Sequence, residues 1–198
     1  MQTFDYQRYF GGGSSSNSNW KEFVFGDAFS IVSTKSGIDK IKLDKEEGAI
    51  PYVTRTDVNN GIDSFVGCQE EKYKIDSGNV ITIGLDTQTV FYQPKPFYTG
   101  QNIQVVSHPM LDRYNASFII VSIKKLVERF SWGSYGATLS RLRRSRIFLP
   151  ADEKGQIDFA FMSTYMKKVE KDILDFTLQH FKDKLNVNKC EMGGGKMD

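Results

Sequence analysis

The chain has 198 residues, of which 39% are hydrophobic, 25% charged and 13% aromatic, with a formal net charge of +2. That length supports one sizeable domain plus an appendage, with a core that needs no covalent staples. The two cysteines, Cys68 and Cys190, lie far apart, so a disulfide framework is a poor reading and a reducing cytoplasm the better one. No apolar signal region opens the sequence and no run approaches about 18 apolar residues, which argues against secretion or a membrane span.

Residues 1–19, ending in GGGSSSNSN, have the composition of a flexible tail or linker. Order is expected from Trp20. WKEFVF (20–25) alternates as an extended segment does, and Gly26-Asp27 offers a cap for a short helix through Ala28, Phe29 and Val32. AIPYVTRT (49–56) reads as a strand entered through Pro51, Asn59-Asn60-Gly61 as a turn, and IDSFV (62–66) as a second strand. NVITIG (79–84), TVFYQ (89–93) and NIQVVS (102–107) are further strands. From about 111 to 130 the period becomes helical, with Phe118, Ile119, Ile123, Leu126, Val127 and Phe130 on one face; Gly133 and Gly136 end it. ATLSRLRR (137–144) is a basic turn or short helix, and RIFLP (146–150) a last strand.

After a polar break a long helix is predicted from about Asp158. Met162, Met166, Val169, Ile173 and Phe176 step by 4, 3, 4 and 3, a narrow seam suited to pairing with a partner helix; Phe181 and Leu185 continue it after a shift in register. The class is therefore α+β: a β-rich domain over 20–152, a long coiled-coil-type helix over 153–187 and a disordered tail over 188–198.

Charge is unevenly spread. Between His108 and Arg146 lie eight Lys or Arg and two acids, a local +6 that leaves −4 to the rest of the chain. Such a segment is either a solvated helix face or the footprint of a polyanion partner.

Chemistry is scarce. Neither GxGxxG nor GxxxxGK[ST] occurs, and no GxSxG elbow. His108 and His180 have no metal-ligating neighbours at useful spacing, so no metal site is expected. Asp152-Glu153-Lys154 imitates a nuclease triplet but sits in a polar linker. An amino-methylating enzyme would need a glycine turn and an Asn/Asp-Pro-Pro-aromatic loop, and no Pro-Pro pair exists. A binding protein is favoured over an enzyme.

Donor and acceptor side chains instead crowd the strand ends: Thr54-Arg55-Thr56, Asn59-Asn60, Asp86-Thr87-Gln88-Thr89, Gln93 and Gln101-Asn102. Amides and Arg pair with base edges, hydroxyls and Lys with phosphates. Candidate DNA contacts are Arg55, Asn59, Asn60, Thr87, Gln88 and Lys95, with Arg141, Arg143, Arg144 and Arg146 as phosphate contacts, at least one of these arginines being expected in the strand and facing elsewhere. At Asn59-Asn60 turn formation is the competing explanation.

WKEFVFGDAFSI, IPYVTRTDVNNGI, GNVITIGLDTQTVFYQPKPFYTGQNI and SYGATLSRLRRSRIFLPADEKGQIDFAFMSTYMKKVE, in that order, resemble one half of the specificity subunit of type I restriction-modification systems. They are equally similar to the target-recognition subunit of type II enzymes of the BcgI kind. The resemblance covers about Trp20 to Glu170. It implies a target-recognition domain that reads one half of a bipartite double-stranded DNA site, followed by a helix that pairs with a second helix and sets the spacing. It also implies a partner methyltransferase subunit, which binds S-adenosylmethionine and methylates adenine, and a restriction subunit or domain that cuts; this chain would hold no cofactor and be non-catalytic. A full specificity subunit has two such domains and two helices, whereas one of each is present here, so a homodimer or pairing with a different half is implied. Because members read different sequences, the shared blocks point to fold or phosphate contacts, and the base readers to Ser33–Glu46, Asp63–Ser77 and Arg129–Tyr135. A β-rich module binding protein or carbohydrate through Tyr92, Phe97, Tyr98 and Trp132 is the alternative.

Overall fold

The computed structural model describes residues 19–130 and 138–192, with side chains through Leu185. In chain order the elements are β1 (Asn19–Val24), a single turn α1 (Phe25–Ala28), β2 (Ser30–Ser33), β3 (Glu47–Val53), a 3-10 turn (Asn59–Gly61), β4 (Ile62–Val66), β5 (Val80–Gly84), β6 (Thr89–Gln93), β7 (Tyr98–Thr99) and β8 (Ile103–Ser107). Helix α2 (Arg113–Val127), a 3-10 turn (Glu128–Phe130), α3 (Leu139–Arg144), β9 (Arg146–Ala151) and α4 (Phe159–Met192) follow. The expected helix through Val32 is corrected. Only one turn forms before the chain extends into β2, which pairs antiparallel with β8 at Ile31–Val106 and buries Ile31. That pairing is long-range and leaves no local signal. The tail expected from 188 overlaps α4, which runs to Met192; Trp132, Gly133, Gly136 and residues 1–18 lie outside the described residues.

The central layer is an antiparallel four-stranded sheet in the order β2-β8-β5-β6. All five residues of β5 are buried, because the sheet is covered on both faces, the condition that turns an alternating strand into a continuous apolar run. Ile81, Ile83, Val90 and Val106 join the main core with Phe118, Ile119, Ile123 and Leu126 of α2. Val80, Ile103 and Val105 face the other way, onto Val53 and Phe97. A three-stranded sheet, β4-β3-β7, covers that second face. Beyond it Ile38, Leu43, Tyr52, Val66 and Tyr98 form a smaller outer core.

A separate ribbon closes the domain: β1 pairs with β9 from Asn19–Ala151 to Val24–Arg146. Beside it α1 and α3 approach so closely that a Cβ on Gly26 would stand 2.9 Å from both Cβ and the carbonyl oxygen of Arg143.

Helix α2 begins with a capping box. Asp112 Oδ1 accepts from the main-chain N–H of Tyr114 (2.7 Å) and Asn115 (2.8 Å), and Asn115 Oδ1 accepts from Asp112 N–H (2.9 Å). The same two side chains hold α4: Ser163 Oγ donates to Asp112 Oδ2 (2.7 Å), and Asn115 Nδ2 donates to Ser163 (3.1 Å). Burial opposes the Asp112 charge, but these donors and the charge of Lys167 outweigh it and hold the carboxyl below its ordinary value. Asp158 starts α4 by accepting from Phe161 N–H (2.8 Å). His108, at the end of β8, stacks on Phe159 with ring centroids 4.4 Å apart.

Alanine at Gly26 would gain helix propensity, yet the contact with Arg143 decides the sign. Gly26→Ala is expected to lower stability by about 1–3 kcal/mol through forced separation of α1 and α3, read as a lower urea midpoint with unchanged slope.

Burial also pushes the His108 imidazole below its ordinary value. The unfolded chain therefore takes up a proton at about pH 6.5 that the folded chain resists. Stability should fall as pH drops from about 6.5 toward the lowered folded value and then level off with respect to this group. His108→Phe should remove that slope in urea titrations across the window.

Candidate nucleic-acid interface

The residues singled out in the sequence fall into three places. The first is the end of the central sheet where β5 turns into β6. Arg55, just after β3, is ion-paired through Nη1 to Asp86 in that turn. Asn102, entering β8, donates from Nδ2 to the same carboxylate oxygen (3.3 Å). Thr87 and Gln88 complete the turn, with Thr87 Oγ1 3.1 Å from Thr89 Oγ1. Gln88 and Asn102 have φ of 58° and 61°, the left-handed backbone, which asparagine tolerates better than most residues.

The second place is the edge of that sheet, where α3 carries Arg141, Arg143 and Arg144. Arg143 donates from Nε (2.9 Å) and Nη2 to the Ile31 carbonyl. It therefore braces the main chain of edge strand β2. Arg146 lies on β9 and pairs with Glu22 of β1 (3.2 Å). The Arg141 guanidinium lies 5.1 Å from the Phe130 ring centroid, and Arg144 Nε donates to Ser140 in its own helix (3.3 Å). All four arginines are exposed, Arg141, Arg143 and Arg144 on α3 and Arg146 on β9. On α2, Lys124 lies over Phe91 and Lys125 is 3.6 Å from Glu128.

The third place is the outer core. Ser33–Glu46 and Asp63–Ser77, separate in sequence, are tied into one unit. Asp44 N–H donates to Gln69 Oε1 (2.9 Å) while Gln69 Nε2 donates to Asp44 O (3.0 Å). Lys40 pairs with Asp63 (2.8 Å), and Gly67 N–H donates to Glu46 O (2.8 Å). At the root of the unit, buried Asp76 accepts from Thr34 Oγ1 (2.6 Å) and from Lys35 N–H. Thr34 and Ser36 also bond to buried Thr99 of β7. Tyr52 donates to Ile38 O (2.8 Å), and burial with nearby Asp63 and Asp39 pushes its pKa up to about 12, so it stays a donor. The result is a stiff platform that presents Lys40, Ile41 and Lys42 to solvent.

The remaining candidates disperse. Asn59 and Asn60 have φ of 50° and 56°, and Asn60 O accepts from Gln93 Nε2 (2.9 Å); turn geometry accounts for asparagine at both. Lys95 is exposed beyond β6, at the opposite end of the hairpin from Arg55. Arg129 precedes residues 131–135, which lie outside the described residues. The aromatic surface invoked for a protein- or carbohydrate-binding module is also corrected: Phe97 and Tyr98 are core, and Tyr92 is half-buried with its hydroxyl donating to Asn79 (2.9 Å).

On α4 the seam divides. Met162 is fully buried in the domain core, and Met166 is half-buried against it. Arg113 binds Glu170 at 2.8 Å, the last side-chain tie from α4 to the domain among the described residues. From 171 to 185 every side chain is exposed, Ile173 at 60% and Phe176 at 76% included. Leu174, Leu178, Phe181 and Leu185 form a second exposed stripe one position over, which the sequence reading had caught only at Phe181 and Leu185. Val169 sits between the two regimes, half-buried.

Among the described residues no group of His, Cys, Asp and Glu could hold a metal ion, and no helix is long and apolar enough to cross a membrane. A shallow groove of about 750 Å³ beside β1 is lined by Glu22, Asp27, Asp152 and Asp158, a charge that repels phosphate.

Residues 17–175 match the family model of the type I restriction modification DNA specificity domain. Over 152 residues the chain is 32% identical to the specificity subunit of the type II restriction enzyme BcgI from Heyndrickxia coagulans, covering 76% of this chain and 43% of that one. The fold is similar to the S subunit of a type I restriction-modification system from M. genitalium (TM-score 0.58, 16% identity, 88% of this chain and 44% of that one). It is also similar to the HsdS subunit from Thermoanaerobacter tengcongensis (TM-score 0.54, 11% identity, 82% and 40%). The chain thus spans less than half the length of these relatives. With the family model matched across the whole recognition domain and onto α4, this chain belongs to the type I restriction modification DNA specificity domain family.

Proposed function

We propose that the chain is the sequence-recognition component of a restriction-modification system, with no catalytic role of its own. Its domain reads one half of a bipartite DNA site and directs a partner adenine methyltransferase, and an associated nuclease, to it. S-adenosylmethionine is bound by the partner, and the protein acts in the cytoplasm. The observation that carries this reading is the family match over 17–175. It is supported by the gathering of Arg55, Thr87, Gln88 and Asn102 at one sheet end and by the Arg141 and Arg144 pair on α3 at the sheet edge. The stiff platform built from 33–46 and 63–77 is the proposed base-reading surface. Its elements are cross-tied, so side chains at its tip can be held against base edges at little entropic cost.

The exposed length of α4 supports the second half of the proposal. Large apolar side chains held in water over four turns need cover. We assign that cover to a second helix of the same kind, in another copy of the chain or in a different recognition half, with Ile173 and Phe176 in the seam. Two recognition domains on paired helices would read two half-sites at a fixed separation, palindromic if the halves are identical.

Expression of the chain with its cognate modification subunit should create a bipartite adenine-methylated motif across the genome, absent without the chain, when modified bases are mapped by single-molecule sequencing. No new motif from soluble, co-purifying proteins would sink the proposal. For α4, the double substitution Ile173→Glu and Phe176→Glu should weaken self-association or half-pairing at least about 100-fold, measured by analytical ultracentrifugation. The folded content of the domain should be unchanged, because both side chains are exposed and lie beyond the tie at Glu170.

A further inference from the structure

Surface ion pairs of exposed side chains contribute little to stability, typically under about 1 kcal/mol. The pair Arg55–Asp86 is of that kind, with side chains 40% and 54% exposed. Yet three separate stretches of chain converge to make it. Asp86 comes from the β5–β6 turn, Arg55 from the link after β3, and Asn102 from the link into β8, donating to the Asp86 oxygen that Arg55 also uses. Beneath them is Gly84. A Cβ there would stand 3.2 Å from Arg55 Cγ, 2.9 Å from Thr87 Oγ1 and 2.5 Å from Thr89 Oγ1. The arginine stem thus lies across bare backbone, which no other residue would leave open. So much local construction around a pair that adds little stability points to a use for the arginine itself.

We propose that Asp86 is a positioning residue: backed by Asn102, it holds the Arg55 guanidinium over Gly84 so that its remaining N–H donors take a DNA backbone phosphate. The inference rests on the DNA-recognition reading above. A guanidinium with one N–H on a carboxylate keeps further donors in a rigid plane suited to two phosphate oxygens. The exposed Thr87 beside it supplies a hydroxyl of the type that accompanies phosphate contacts. Because the pair is close to neutral, it adds little long-range attraction; its contribution is geometric.

The geometric role has a sign that simple electrostatics opposes. Removing a negative charge from a DNA-facing surface should tighten binding, whereas removing a positioner should loosen it. The full chain, purified with its modification subunit, would be titrated by fluorescence anisotropy against a duplex carrying its mapped site and against a random duplex, at several salt concentrations. Asp86→Asn should weaken binding about threefold to tenfold, the factor attached to freeing one flexible side chain, and Asp86→Glu should recover part of it. Arg55→Ala should lower the salt slope by about 1 and weaken both duplexes equally. The double substitution should be no worse than Arg55→Ala alone. Thermal midpoints should stay at the wild-type value, which confirms that the variants fold.

Asp86→Asn binding as tightly as wild type, or tighter, overturns the positioning role. A loss confined to the cognate duplex overturns the phosphate assignment and makes Arg55 a base reader. Wild-type protein that binds neither duplex overturns the DNA-recognition reading itself, and does so before any substitution is compared.

Discussion

Asp112 joins two tasks that are usually separate. One carboxylate oxygen starts α2 by accepting two main-chain N–H groups; the other receives Ser163 of α4. Asn115 completes both circuits, returning to Asp112 and reaching Ser163. The start of α4 is therefore tied to the domain by the same two side chains that cap the central helix. Loss of the carboxylate would leave two orphan N–H groups at a helix start and a buried serine without its acceptor. Since α2 covers one face of the four-stranded sheet, disturbance at this joint reaches the core and the projecting helix together.

The domain divides labour by layer. The main core is apolar and continuous, and its job is to hold shape. On the far face of the central sheet, polar links take over: Gln93 binds Thr82 and the main chain of Asn60, and Asp76 with Thr34, Ser36 and Thr99 roots the outer platform. Every buried side-chain nitrogen or oxygen among the described residues has a partner. Such satisfied networks specify one geometry more sharply than apolar contact does. The surface expected to meet DNA is thus attached through directional bonds to a nearly incompressible base.

What the sequence revealed followed the range of the interaction involved. The period of α2 and the runs of β5, β6 and β8 are local patterns; each strand lies within a residue of its expected place and α2 within three. Pairings over long separations left no such trace. β1 with β9, β2 with β8 and the two-residue β7 depend on strands tens of residues away, and the spacing of Ala28, Phe29 and Val32 imitated a helix where Ile31 instead needed the sheet. The arginine run could be seen as charge, but not that Arg143 faces an edge carbonyl and Arg146 a glutamate across the ribbon. Met162 and Met166 follow the same heptad as Ile173 and Phe176; only the position of Glu170 relative to Arg113 tells which half of the seam the domain covers. The Arg55–Asp86–Asn102 group was present in the sequence as three polar patches, and its unity is a product of topology.

The β1–β9 ribbon sets entry and exit of the domain side by side, with Asn19 opposite Ala151. Everything between those two residues is a closed excursion from one point of the chain. A crossover in the encoding DNA near these two boundaries could replace the excursion wholesale, and the incoming domain would need only a compatible ribbon and a counterpart of the Asp112–Ser163 joint to sit correctly on the same helix. The architecture is thus that of a cassette, in which the domain can be exchanged whole rather than altered by gradual substitution, while the helix beyond it stays as it was.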